Sequence, residues 1–398
     1  MARIVVMPYG PHLAHVSRPL LIAVVLRNMG HEVIFAGDGA SLRLARESGF
    51  PVVFAKEIPE EHMLSVSRKG RANWWDGYLQ EMVEEDCRVF SELHPNLVLG
   101  DFRLSLSTSC EHARIPMAMI MNAAWTNYYT VRCKAPEHLA ATRILGKPIS
   151  NFLFPLVKSA ILRTDARTFR KLRRSLGLDP RRNMWDMWRG NLNLLVDTPA
   201  YAPTRDLPPD FRYIGPLVWE PDVAAPPWLE TLDPKRPTIY FTMGSTGFPR
   251  FFEQAVEIFG DSEYQCIMTT AGMARFDSLP SNFYCCDFAS GTKIMEKSTV
   301  VVCHGGNGTI YQAMSRSVPV IGIPTMHDQE WNLDRIVDLG MGIHLSELRF
   351  KPEHLREAVA RVVGDPQFKR AAERQRAEVE RYDAPRLGAE LIDRFLKG

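Results

Sequence analysis

The sequence predicts an α/β protein built from two parallel-sheet halves. Three observations carry that expectation. Short β-branched runs such as Thr299–Cys303 alternate with helical stretches along most of the chain, the pattern of strand–helix–strand units. At 398 residues the chain is too long for one ordinary core. A Pro-rich stretch from Pro199 to Pro237 separates two α/β series and reads as a linker.

The elements follow in order. Arg3–Met7 is the first strand, and 8–19 a loop. Leu20–Met29 is an apolar helix closed by Gly30, and His31–Ala36 the second strand. This start lacks G-x-G-x-x-G, because Gly10 stands alone, so a nicotinamide-dependent enzyme is not expected. Ser41–Ser48 reads as a helix, Pro51–Ala55 as a strand and Trp74–Leu93 as a long amphipathic helix. Leu97–Asp101 is a strand ending in a carboxylate, Ser107–Ala113 a helix and Met117–Met121 a strand. Residues 135–189 are mostly helical, and Leu192–Asp197 is the last strand of the first half. The second half runs through Thr238–Met243, Phe251–Phe259, Tyr264–Thr269 and Phe283–Asp287. Helices over 352–363, 366–382 and 385–397 close the chain.

Composition is ordinary for a globular protein, and the net charge of +2 argues neither for nor against any partner; no nucleic-acid partner is expected. The charge is uneven: 132–189 holds fourteen Lys/Arg and four Asp/Glu, with an aromatic–aliphatic cluster at 152–157. Two readings stand, a solvated arginine-rich face around a core segment and a surface that meets an anionic membrane. The seven Cys lack zinc-type spacing, and Cys285-Cys286 reads as part of a strand rather than a disulfide. No signal peptide and no bilayer-spanning run are visible. A cytoplasmic protein is expected, with peripheral contact at the inner face of the membrane on the second reading.

The chemistry concentrates at 298–332. There a buried strand runs into His304-Gly305-Gly306-Asn307-Gly308-Thr309, then a helix, then the apolar run 318–324. The free amides at such a helix start and its dipole favour an anion, and glycine lets it come close. A diphosphate fits, with His304 as a further donor. Asp328-Gln329 lies just past the next strand, where polar side chains reach hydroxyl groups.

This ordered set resembles the nucleotide-sugar signature of the GT-B glycosyltransferases, the superfamily of UDP-glycosyltransferases and bacterial antibiotic (macrolide-type) glycosyltransferases. The matching residues are His304, Gly305, Gly306, Gly308-Thr309, Val318-Pro319, Pro324, Asp328-Gln329 and Asn332. The resemblance implies two Rossmann-like domains with a cleft between them. An acceptor domain would span 1–205, with helix 383–398 packing back on it, and a linker and donor domain 206–382. It implies that His304 binds the donor diphosphate and Asp328-Gln329 the sugar hydroxyls. Gln312 stands where many members carry a ribose-binding Glu. Phe288 holds the register of the residue against the donor base, while Gly291 replaces a usual Gln. Gly244, Ser245 and Thr246 follow the first strand of this half and join the donor set.

The family places a general base after the first strand. His15, followed by Gly30-His31 at the next strand, matches that register, and His12 is its competitor. Asp101, at a strand end, is the carboxylate expected to orient the base. Imidazole titrates near neutrality and can take the proton of an acceptor hydroxyl, while the carboxylate fixes its tautomer. His12, Trp74, Trp75, Asn122, Trp125, Tyr128 and Tyr129 are candidates to line an acceptor site.

No Asp-x-Asp occurs, so a metal-independent, inverting transfer from a UDP-sugar, or a dTDP-sugar, to a small apolar alcohol or phenol is expected. No cofactor or metal is expected beyond the nucleotide-sugar substrate. Alternatives are a nucleotide-sugar epimerase, a lipid-linked-sugar transferase at the membrane, and a non-catalytic partner of the same fold.

Overall fold

The computed structural model describes residues 1–68, 75–137, 139–244 and 247–398. By contacts the chain divides into two compact units. The first comprises Met1–Lys134, Pro148–Leu217 and Tyr382–Gly398, and the second Ala135–Lys147 and Val218–Arg381.

The first unit holds a seven-stranded parallel sheet. Its strands are β1 (Arg3–Pro8), β2 (Glu32–Gly37), β3 (Val52–Phe54), β4 (Leu97–Asp101), β5 (Met117–Met121), β6 (Leu192–Leu195) and β7 (Phe211–Tyr213). They are ordered β3-β2-β1-β4-β5-β6-β7. In the second unit β8 (Thr238–Thr242), β9 (Gln265–Thr269), β10 (Phe283–Cys286), β11 (Val300–Cys303), β12 (Val320–Gly322) and β13 (Gly342–His344) form a parallel sheet. Its order is β10-β9-β8-β11-β12-β13. Helices cover the faces of such sheets, so the central strands are apolar throughout: β1, β4, β5, β8 and β11 are buried almost end to end. Both orders reverse direction once, between β1 and β4 and between β8 and β11. The crevice above the carboxyl ends at such a reversal is where open α/β sheets bind ligands. The two Rossmann-like halves are therefore as expected, and Cys285 and Cys286 lie in β10 as read.

Three local expectations change. The first helix spans Leu13–Asn28, seven residues earlier than its apolar run suggests, with Pro19 inside it. Proline marked this stretch as loop, but tertiary contacts of His15 and Arg18 hold the turn, so both sit on a helix rather than a loop. The strand β7 lies within the stretch read as linker, because Phe-Arg-Tyr between Pro209 and Gly215 is too short to show a period. The long helix before β4 begins at Leu79, after a separate helix Glu60–Arg68.

The last helix, Ala384–Leu396, packs on Leu13–Asn28. A Cβ added at Gly388 would fall 2.8 Å from Ile22 Cδ1, so the missing side chain sets how closely the two helices approach. His31 Nε2 lies 3.2 Å from Asp393 Oδ1 at the same junction. Among the described residues no helix is long and apolar enough to cross a membrane.

Candidate functional site

Two sets of side chains stand at the two sheet reversals, one in each unit. In the first unit the helix after β1 places His15 and Arg18 one turn apart, so both reach the end of β4. His15 Nδ1 lies 2.8 Å from Asp101 Oδ1. Asp101 is fully buried, and Arg18 grips both its oxygens, Nε to Oδ2 at 2.8 Å and Nη2 to Oδ1 at 2.5 Å. A carboxylate in that grip only accepts, so the proton between His15 and Asp101 is carried by Nδ1. Nε2 is then left as the basic nitrogen. Arg18 Nη2 also stands 3.1 Å from Nδ1, a contact in which two donors meet and which adds no bond.

The support continues inward. Arg18 Nη1 donates to Asn122 Oδ1 at 3.0 Å, and Asn122 Nδ2 donates to Asp197 Oδ1 at 3.2 Å. The Ala123 amide closes the chain on Asp197 Oδ2 at 2.6 Å. Asn122, a candidate for the acceptor, is thus a buried strut of the His15–Asp101 pair. Sequence reasoning missed Arg18 and Asp197. The i, i+3 spacing of His15 and Arg18 was the available signal.

Aromatic rings complete the surround. Phe102 stacks flat on His15, with centroids 4.4 Å apart and planes 4° from parallel. Its φ of 58° is in the left-handed region, an outlier for so bulky a residue. The next residue explains how it is held. Arg103, fully buried, donates to Asp86 Oδ1 at 2.8 Å, Glu57 Oε2 at 2.7 Å and the Lys56 carbonyl at 2.8 Å. Burial pushes the Glu57 carboxyl up to about 7, against the pull of Arg103. No sequence signal announced this cluster.

Trp125 lies 5.3 Å from Phe102 and joins the ring group, together with Trp188, which sequence reasoning did not single out. Trp75 does not join it. Its ring is buried against Phe169, which leaves it no surface for an acceptor and corrects that expectation. Tyr128 instead meets Phe211 edge-on at 5.2 Å, and Tyr129 bridges Thr204. Trp74 lies outside the described residues. His12 stacks over His15 at 5.8 Å and lies 3.4 Å from Glu60. Burial, with the neighbouring His15, holds its pKa down to about 3. His12 is therefore neutral, and the Glu60 contact is not an ion pair at neutral pH.

In the second unit β11 delivers His304 into a slot between two glycines. A Cβ on Gly306 would fall 2.5 Å from His304 Nε2, and one on Gly244 2.5 Å from its Cε1. No other residue fits at either position without displacing the ring. Burial depresses the His304 pKa to about 4, with nearby Asp328 opposing, so the imidazole is neutral. Among the described residues its Nδ1 is buried without a hydrogen-bond partner, as is Asn307 Oδ1 on the first turn of helix Asn307–Ser315. That helix is capped by Gly306, which has no side chain to occupy the amides of Asn307, Gly308 and Thr309. A Cβ on Gly308 would meet nothing within 4 Å, so packing within the unit does not require its glycine.

The remaining donor candidates gather around this point. Asn332 Nδ2 donates to the Gly305 carbonyl at 3.1 Å. Gln329 is buried, and its Oε1 accepts from the Thr325 and Met326 amides at 2.8 and 3.2 Å, so that oxygen holds the turn. Asp328, one residue earlier, is half-buried. Gln312 Nε2 donates to Glu220 Oε1 at 2.8 Å, and Ser290 Oγ donates to Glu220 Oε2 at 2.7 Å. A carboxylate thus stands beside Gln312 although the sequence position itself lacks one. Gly291 is explained too: a Cβ there would meet Gln312 Oε1 at 2.9 Å. Phe288 is 60 % exposed, an open ring surface before helix Gly291–Glu296. Ser245 and Thr246 lie outside the described residues. Among the described residues no three His, Cys, Asp or Glu side chains gather as a metal-binding group.

Known proteins resemble this chain in sequence and in fold. Residues 253–393 match the erythromycin biosynthesis protein CIII-like C-terminal domain. A "PGL/p-HBAD biosynthesis glycosyltransferase" of Mycobacterium tuberculosis (strain ATCC 25177 / H37Ra) is 34% identical over 91% of this chain and 85% of its own length. A "PGL/p-HBAD biosynthesis rhamnosyltransferase" of Mycobacterium bovis (strain BCG / Pasteur 1173P2) is 32% identical over 91% of this chain and 81% of its own. Among solved structures, the spinosyn rhamnosyltransferase SpnG complexed with thymidine diphosphate superposes with a TM-score of 0.73. It is 18% identical and covers 99% of this chain and 100% of its own.

Proposed function

The chain belongs to the GT-B glycosyltransferases, the family of the bacterial antibiotic glycosyltransferases, and from that membership we propose an inverting, metal-independent transfer. A sugar moves from a pyrimidine nucleoside diphosphate, UDP or dTDP, to the hydroxyl of a small, largely apolar alcohol or phenol. The observation that carries this reading is the buried His15–Asp101 hydrogen bond at the end of β4, which puts the ring proton on Nδ1 and makes Nε2 the basic nitrogen.

His15 Nε2 removes the acceptor proton as the oxygen attacks the anomeric carbon, and Asp101 stabilises the imidazolium that results. Attack opposite the departing diphosphate inverts that carbon. The diphosphate leaves onto the open amides of helix Asn307–Ser315, with His304 donating a hydrogen bond. Phe288 stacks on the base, and Gln312 with Glu220 faces the ribose. Asp328, with Gln329 beside it, takes the sugar hydroxyls. The rings of Phe102, Trp125 and Trp188 favour an apolar acceptor. Peripheral contact with the inner face of a membrane, through 132–189, belongs to the same reading.

An epimerase has no acceptor hydroxyl to deprotonate, and a non-catalytic partner needs neither residue. The test is transfer from UDP- and dTDP-sugars to a panel of phenolic, steroid and macrolide alcohols. Product with wild type and its loss in His15→Ala support the reading. Interconversion of the nucleotide sugar with no added alcohol would replace it by the epimerase.

A further inference from the structure

Helix Lys147–Asp165 has its polarity the wrong way round for a helix on a protein surface. Ile149, Phe152, Leu153, Leu156, Val157 and Ile161 recur at helical spacing, so they share one side. That side faces solvent: Phe152 is 70 % and Leu156 73 % exposed, and all six count among the exposed large apolar residues. On this helix only Ser150 and Phe154 are buried. Ile144 and Leu145, just ahead of it, are exposed as well. Contiguous apolar surface of this kind marks an interaction site.

The charge around it selects the partner. Residues 147–175 hold eight Lys/Arg and one acid, Asp165. The following helix, Arg167–Ser175, exposes Arg167, Lys171 and Arg174 at i, i+4 and i+7. Together with exposed Arg163, none of these forms an ion pair among the described residues. Two copies of this chain joined through the stripe would bring like charges together. An anionic bilayer would neutralise them while its acyl boundary takes the apolar side chains.

We propose that helix Lys147–Asp165 lies in the surface of an anionic bilayer, with Phe152 and Leu156 inserted and Arg163, Arg167, Lys171 and Arg174 on the headgroups. This rests on the membrane contact proposed above and places it on one helix face. It also gives an apolar acceptor a route to the enzyme, since such alcohols partition into the same boundary.

The test is co-sedimentation of the full chain with phosphatidylcholine vesicles with and without phosphatidylglycerol. Wild type should pellet with the anionic vesicles and be released by high salt. The exposed double substitution Phe152→Ser/Leu156→Ser should bind at least about tenfold more weakly, as should Arg167→Glu/Lys171→Glu/Arg174→Glu. Both variants should keep the wild-type melting temperature and transfer to a water-soluble acceptor. Wild type that pellets with neither vesicle overturns both the helix assignment and the membrane contact. Wild-type binding matched by both variants overturns the helix alone. Dimerisation that the serine pair abolishes, without vesicle binding, assigns the face to a second copy instead.

Discussion

At the residue scale the pair His15–Asp101 and the single His304 make opposite demands on their imidazoles. On the proposed mechanism His15 accepts a proton, and Asp101 stabilises it once it has. General-base catalysis contributes about 10²–10⁴-fold, so His15→Ala should cut kcat by that order while calorimetry with UDP or dTDP stays unchanged. Asp101→Asn should impair the same step, and the double variant should lose no more than the worse single one, because the two act as a unit. His12→Ala should be far milder, since an imidazole held at about 3 is a poor base at neutral pH. A dead His12 variant beside an active His15 variant would reverse the assignment. His304 is neutral, and on the proposed mechanism it donates to the diphosphate. Its alanine variant should lose about 1–3 kcal/mol of nucleotide affinity, the cost of one buried partner. The unfolded chain protonates this histidine below about 6.5, whereas the folded one waits until about 4. Unfolding therefore takes up a proton between those values, and the stability this group contributes above 6.5 is lost as pH falls through that window. Glu57 and Glu330, raised to about 7 by burial, act with the opposite sign. The readout is thus the difference between wild type and His304→Ala in urea melts at pH 7 and pH 4.5, and the variant should show the smaller acid loss.

At the scale of elements, the turns after β4 and β11 do the positioning, and they were not equally legible. The His304 turn could be read because its glycines sit at fixed places in a short ordered string. Their reason is visible only in the structure: Gly244 and Gly306 flank the ring. Gly306→Ala should displace His304 and weaken nucleotide binding, with loss of stability. Gly308→Ala is the informative contrast, since nothing in the unit obstructs its Cβ. It should leave the melting temperature unchanged or raise stability by about 0.4–1 kcal/mol, yet weaken nucleotide binding if the phosphates approach that amide. Equal affinity in wild type and Gly308→Ala would move the diphosphate off this helix. The β4 turn was only half legible. Asp101 at the strand end pointed to a ligand, but the left-handed Phe102 and the buried Arg103 cluster depend on contacts with Glu57 and Asp86, far away in sequence. Arg103→Met should cost about 3–5 kcal/mol, because it leaves two carboxylates buried without their partner. The same distance dependence hid the start of the first helix, whose Pro19 argued for loop until Asp101 was seen to hold His15 and Arg18.

At the scale of the whole molecule, the apolar runs of the central strands showed both sheets. The short edge strands β7 and β13 escaped because Phe211–Tyr213 and Gly342–His344 each interrupt their apolar residues with a polar or glycine residue, so no apolar run marks them. The proposed base and leaving-group site also fall in different units, which gives kinetics a clean partition. Substitutions at His15 should change kcat alone, and those at His304 should change nucleotide affinity first. That partition bears on the departing diphosphate, which in many glycosyltransferases is met by a divalent cation held on Asp-x-Asp. Here the string is missing, and the donors at the second reversal are neutral: backbone amides at a helix start and an uncharged imidazole. Dipoles fixed in place stabilise developing charge without reorganising, and removing one such donor costs about 10²–10³-fold in kcat where it acts only in the transition state. Among the described residues no three His, Cys, Asp or Glu side chains gather to hold a cation, and the proposed mechanism asks for none. Transfer should therefore proceed at the same rate in excess EDTA as in Mg²⁺ or Mn²⁺. Loss in EDTA that added metal restores would show that the diphosphate departs onto something other than the His304 turn, and the same metal titration on His304→Ala would show whether that residue takes any part.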